Sequence, residues 1–158
     1  MERTMKNTSH LIASLIAILC CTCPVMAEPE MSSGQSVYVP AYSHIYATPQ
    51  SIPINLTALL SVRNTDPHKA MTIASADYYD SRGNLVSKAL DKPVTVKPLA
   101  TWEHIVPEMN TVGGSGAKFI VRWNATQNVN IPIVECIMVT TRSGLGISLI
   151  TRGKVIKE

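Results

Sequence analysis

The sequence predicts an all-β domain: an immunoglobulin-like antiparallel sandwich of about seven to nine short strands. Three observations carry that reading. Apolar and polar residues alternate with period two in several segments. Clusters of Gly, Pro, Asn and Asp separate those segments. No segment carries an apolar stripe at the helical period of about 3.6 residues. A barrel is the alternative with the same local signals.

Taken in chain order, the first element is a leader. Arg3 and Lys6 precede the uncharged run Leu11 to Leu19. As a helix that run spans about 14 Å at ~1.5 Å per residue, too short for a bilayer core. A basic start, a short apolar stretch and the small residues of Val25-Met26-Ala27 predict a secretory signal over residues 1–27, cut after Ala27. Cys20, Cys21 and Cys23 raise a lipoprotein reading, but Leu19, Cys20 and Thr22 are poor residues to precede an acceptor cysteine. Soluble export to the periplasm or beyond is preferred. Cleavage leaves Cys136 alone, so the exported chain forms no internal disulfide and must be held by its core. Residues 28–35 are polar and expected to be loose, ahead of a sandwich domain over 36–158.

Val37 to Tyr46 is an aromatic-rich extended segment. Ile54 to Arg63 is the clearest strand: Ile54, Leu56, Ala58, Leu60 and Val62 share one face, and all of the other face except Leu59 is polar. Met71 to Tyr79 runs into Asp80-Ser81-Arg82-Gly83-Asn84, a hairpin turn, and Leu85 to Leu90 returns. Val94 to Val96, between Pro93 and Pro98, suits a sheet edge. Thr101 to Val106 follows, then a glycine-rich turn opens Lys118 to Trp123, with Phe119, Val121 and Trp123 inward. Ile133 to Val139 reads as a central strand, and Arg142 to Gly146 turns into a last strand, Ile147 to Thr151.

Composition narrows the function classes. The chain has 158 residues, 46% of them hydrophobic and 16% charged, with a net charge of +3. That is one globular domain, not a disordered chain. The charge excess is too small and scattered for a nucleic-acid surface. No later stretch approaches the ~18–20 apolar residues of a membrane helix.

The chemistry-bearing residues form few constellations. Ser115-Gly116-Ala117-Lys118 has Ser-x-x-Lys spacing, which needs a helical turn to bring the amine under the hydroxyl; a strand follows here instead. A serine hydrolase using Ser115, with Lys118 or His104 as base, stays open. The glycines lack the helix of a phosphate cradle. His44, His68 and His104, with Met31, Met71, Met109 and Met138, leave a periplasmic metal carrier open, although Cys136 has no following His for a blue-copper loop. Asp66-Pro67-His68 reads as a turn. Cys136 reads as a small buried hydrophobe. Pairing of 118–123 with 133–139 would let Arg122 neutralise Glu135. Tyr42, His44 and Tyr46 would share one side of an extended strand, the arrangement of a contact surface. No cofactor and no metal site is assigned.

Several blocks in order carry a resemblance. They are Val37-Tyr38-Val39-Pro40 with Tyr42 to Tyr46, Leu60 to Pro67, Asp77 to Asp80 with Gly83 and Leu85-Val86, and Gly113 to Ala117 with Phe119-Ile120-Val121 and Trp123. Over residues 36–152 the chain resembles an uncharacterised family of small exported bacterial proteins, the domain-of-unknown-function family numbered thirty-one twenty-four. The resemblance implies an exported bacterial domain and supplies no activity. The resulting expectation is a non-enzymatic module that binds an envelope partner or supports an envelope assembly.

Overall fold

Period-two alternation in the sequence becomes alternation in burial. In the computed structural model, which describes residues 30–46, 52–141, 144 and 146–157, Phe119, Val121 and Trp123 are buried while Lys118, Ile120 and Arg122 between them are only half-buried. The leader, its cleavage site and most of the Arg142–Gly146 turn lie outside the described residues.

The described residues form twelve strands: β1 (Met31–Pro40), β2 (His44–Tyr46), β3 (Pro53–Asn55), β4 (Thr57–Arg63), β5 (Met71–Tyr79), β6 (Leu85–Lys88), β7 (Val94–Val96), β8 (Thr101–Val106), β9 (Lys118–Asn130), β10 (Ile133–Thr140), β11 (Ile147–Arg152) and β12 (Lys154–Ile156). The excess over the nine expected segments comes from the three-residue strands β2 and β3, split from the Val37–Tyr46 and Ile54–Arg63 segments, and from β12. One sheet runs β12-β1-β9-β5-β6, with β7 also pairing β5; a second runs β11-β10-β4-β8; β2 and β3 form a separate ribbon. Every pairing is antiparallel. The sheets stay open at their edges, so the fold is a sandwich and not a barrel.

One core lies between the two layers. Val37, Val39, Ile73, Tyr78 and Phe119 enter it from the larger sheet, and Leu60, Val62, Cys136 and Met138 from the smaller. His104 of β8 meets the edge of Phe119 of β9 with ring centroids 6.2 Å apart. The β5–β6 turn forms as its residues dictate. Asp80 Oδ1 accepts the N–H groups of Arg82 and Asn84, both at 2.8 Å, and Gly83 takes φ 89°.

Three expectations need correction. Residues 31–35 are not loose: Met31, Ser32, Gly34 and Gln35 pair with Asn130, Val129, Asn124 and Trp123. Their side chains bury little, so main-chain bonds to the unusually long β9 hold them, a cause that composition does not reveal. The Ile54–Arg63 strand breaks at buried Leu56, whose N–H donates to Ser43 O at 2.9 Å in the ribbon before the chain joins β10 and β8. Arg122 and Glu135 do not meet, because the chain crosses to the other sheet between β9 and β10. Arg122 Nη1 pairs with Asp77 Oδ2 at 3.0 Å, and Glu135 Oε1 lies 3.4 Å from Arg63 Nε.

Candidate functional site

The proposed nucleophile and bases are not assembled into a hydrogen-bonded set. Ser115 is exposed in the turn before β9. Lys118 Nζ donates to the main-chain oxygen of Asp80, a contact that ties β9 to the β5–β6 turn. His104 stacks on Trp102 at 6.2 Å, and burial lowers its pKa, favouring the neutral ring. Among the described residues no hydrogen bond joins Ser115 to Lys118 or to a histidine. Cys136 is fully buried, and burial pushes its thiol up to about 12, away from the nucleophilic thiolate. Among the described residues no three His, Cys, Asp or Glu side chains cluster as a metal site. No helix of the described residues is long and apolar enough to cross a membrane.

The aromatic segment divides in two. Residues 41–43 are irregular, which breaks the expected alternation, and Tyr42 packs against the core with its N–H on Met138 Sδ at 3.1 Å. His44 and Tyr46, two apart in β2, do share a side. Their rings meet edge to face with centroids 5.2 Å apart, and His44 Nε2 lies 3.1 Å from the Tyr46 hydroxyl. His44 Nδ1 lies 3.1 Å from Ser43 Oγ, and that buried hydroxyl donates to Thr111 O at 3.2 Å. A carbonyl only accepts, so Ser43 donates to Thr111 and His44 Nδ1–H to Ser43, while Nε2 and the Tyr46 hydroxyl share the remaining hydrogen bond. This order holds the His44 ring and the 56%-exposed Tyr46 ring in one pose. Ile45 between them packs on the core and anchors the ribbon.

A second surface escaped the sequence reading. On the outer face of the smaller sheet, Ile150 of β11 stands opposite Ile137 of β10, Ile137 opposite Leu59 of β4, and Leu59 opposite Ile105 of β8. The four form one continuous apolar row across the sheet, with Ile150 63% and Ile105 59% exposed. Beside it runs a charged row in register: Arg152, Glu135, Ser61 and Glu103. Arg63 folds over Ser61, its Nε 3.3 Å from Ser61 Oγ, and pairs with Glu135. At this end of the face a cleft of about 310 Å3 opens between Arg63, Ile133, Glu135, Arg152 and Gly153. The signal for the row was present in Leu59, the lone apolar residue on the polar phase of its strand, and its counterparts lie on three other strands.

Fold and sites together define an antiparallel β-sandwich that, among the described residues, holds one free buried cysteine and no assembled catalytic set. Residues 34–156 match the family described as "Protein of unknown function (DUF3124)", and the chain belongs to that family. No curated protein matches the sequence. Among solved structures, the chain is similar to one described as "Crystal Structure of Thermotoga maritima 1070", with a TM-score of 0.45 and 8% identity, covering 76% of this chain and 92% of that one.

Proposed function

We propose that the chain is exported, trimmed after Ala27, and works in the periplasm as a non-enzymatic, immunoglobulin-like binding module that docks an envelope protein through its β2–β3 ribbon. One observation carries the reading: the His44–Tyr46 couple. Tyrosine gives a large contact area with a polar tip and is enriched in interface cores. Fixing its ring beforehand through His44 lowers the entropy lost on docking. The scattered positions of Ser115, Lys118 and His104 support a binding role over hydrolysis.

The test is crosslinking in intact bacteria, with the tagged chain recovered from the envelope. A reproducible partner should be captured, and Tyr46→Ala should lose it while Tyr42→Phe keeps it. Recovery unchanged by Tyr46→Ala would overturn the ribbon as the docking surface. The amino terminus of the recovered chain should be Glu28. Labelling of Ser115 by a sulfonyl fluoride would instead favour the hydrolase, and micromolar binding of copper or zinc the metal carrier.

A further inference from the structure

We infer that the outer face of the β11-β10-β4-β8 sheet is an isologous interface: a second copy of this chain docks on it face to face, about a two-fold axis running along the strands between β10 and β4. Two side-chain rows in register, away from the ribbon, carry it.

Such an axis keeps each row at its own height and reverses its order from edge to edge. The apolar row read Ile150, Ile137, Leu59, Ile105 then lies against Ile105, Leu59, Ile137, Ile150 of the other copy. Apolar meets apolar at every position. The charged row reverses in the same way. Arg152 at the β11 edge comes opposite Glu103 at the β8 edge of the other copy, and Glu103 opposite the second Arg152. Ser61 is buried beneath Arg63, so Glu135, already neutralised by Arg63, comes opposite the Arg63 side chain of the other copy. No like charges are forced together.

The two terminal groups are the ones left over. Arg152 and Glu103 are exposed and form no ion pair within the chain among the described residues. Packed sheets lie about 10 Å apart, a gap that an arginine and a glutamate side chain together span. The other large face differs: its β5 and β9 carry the Arg122–Asp77 pair and the Arg122–Ser75 contact across the centre of the sheet. Apolar association therefore belongs to the smaller sheet.

Four strands at ~4.8 Å and about seven residues at ~3.4 Å give a face of about 19 by 24 Å, at the small end for a specific contact. The dimer is accordingly weak, with dissociation in the micromolar range. Because the axis runs along the strands, both β2–β3 ribbons emerge at the same end of the pair, so the dimer presents its Tyr46 sites in duplicate.

The experiment is sedimentation equilibrium on the chain purified in the form the cell delivers, across the micromolar range. The wild-type mass should rise from one copy to two with concentration. Arg152→Glu and Glu103→Arg should each raise the dissociation constant at least tenfold. An equimolar mixture of those two variants should associate again, since both edge contacts are then attractive, a recovery that no interface with a different partner would give. Ile150→Asp should abolish association; if its melting curve shows a lost fold, Ile105→Thr on the edge strand replaces it. A wild type that stays monomeric overturns the inference, as does a dimer unaffected by these changes or a mixture that fails to recover. Tyr46→Ala should leave the dimer intact, so failure here and failure of the ribbon are read separately.

Discussion

Asp66 Oδ2 accepts the main-chain N–H of Asn130 at 3.2 Å, and so ties the loop after β4 to the last residue of β9 just before the chain changes sheets. Its other oxygen accepts the N–H groups of His68 and Lys69, both at 2.9 Å. The His68 N–H leads in holding this carboxyl below its usual value of 3.8. A depressed folded pKa adds stability that is complete above the unfolded value and is lost as pH falls through the folded one. Asp80 behaves alike: the Asn84 side chain and N–H pull it down to about 2. Acid unfolding should therefore set in below about pH 4. Asp66→Asn should be less stable than wild type at pH 7, and the gap in urea midpoint should narrow by pH 3. An equal gap at both pH values would count against the carboxylate as the cause.

Asn64 closes the same loop from inside. It is buried, and its amide nitrogen donates to Lys69 O at 2.8 Å, Lys97 O at 3.1 Å and Val96 O at 3.2 Å. Its oxygen accepts the N–H of Asp66 at 3.0 Å. Asn64→Ala should cost about 1–3 kcal/mol by leaving buried carbonyls unpaired. Asn64→Asp, although isosteric, turns an acceptor toward three carbonyl oxygens and should be the more damaging at neutral pH. Chemical denaturation of the two variants ranks them, and the reverse order would remove this account.

Much of this architecture was legible in the sequence, for a physical reason. Where one strand face is buried and the other meets solvent, as in Ile133 to Thr140 or Phe119 to Trp123, side-chain period alone fixes element and facing. The Asp80–Asn84 turn and the Pro-bounded edge strand β7 follow from backbone chemistry. Partner choice between sheets was not legible: nothing local says that Arg122 meets Asp77 rather than Glu135. Residues 31–35 and β12 were missed because main-chain ladders hold them, with little apolar content to signal it. On the candidate site, the His44–Tyr46 pair follows from spacing, whereas Tyr42 left that face because residues 41–43 are irregular. The Ile105–Leu59–Ile137–Ile150 row was invisible because each strand contributes a single residue.

Gly113 tests the packing under the glycine-rich turn. A Cβ there would overlap the hydroxyl of buried Tyr78 and come within 2.8 Å of Ala117 Cβ. Gly113→Ala should destabilise by about 1–3 kcal/mol through overpacking. The Tyr78 hydroxyl is buried without a hydrogen-bond partner among the described residues, so Tyr78→Phe alone should be close to neutral. Combined with Gly113→Ala, it should recover part of the loss. A double-mutant cycle in urea measures the coupling, and strictly additive effects would mean that the two residues do not share that space.

Tyr78 and Cys136 also set the alkaline limit of the fold. Both are buried in the single core, and burial pushes each up to about 12, Tyr78 from 10.0 and Cys136 from 9.0; a Cys136 thiolate nearby raises Tyr78 further. For a raised folded pKa, the stability contribution is complete below the unfolded pKa and is lost as pH rises through the folded one. Loss should begin near pH 9, where the unfolded thiol ionises, and steepen above pH 10, when the unfolded phenol joins it. Each proton contributes a slope of about 1.4 kcal/mol per pH unit. Cys136→Ala should flatten the first part of the decline and Tyr78→Phe the second, as read from urea midpoints between pH 8 and 11. The same burial predicts that Cys136 resists disulfide reagents in the native state and reacts only on unfolding, so rapid labelling of the folded chain would place it outside the core.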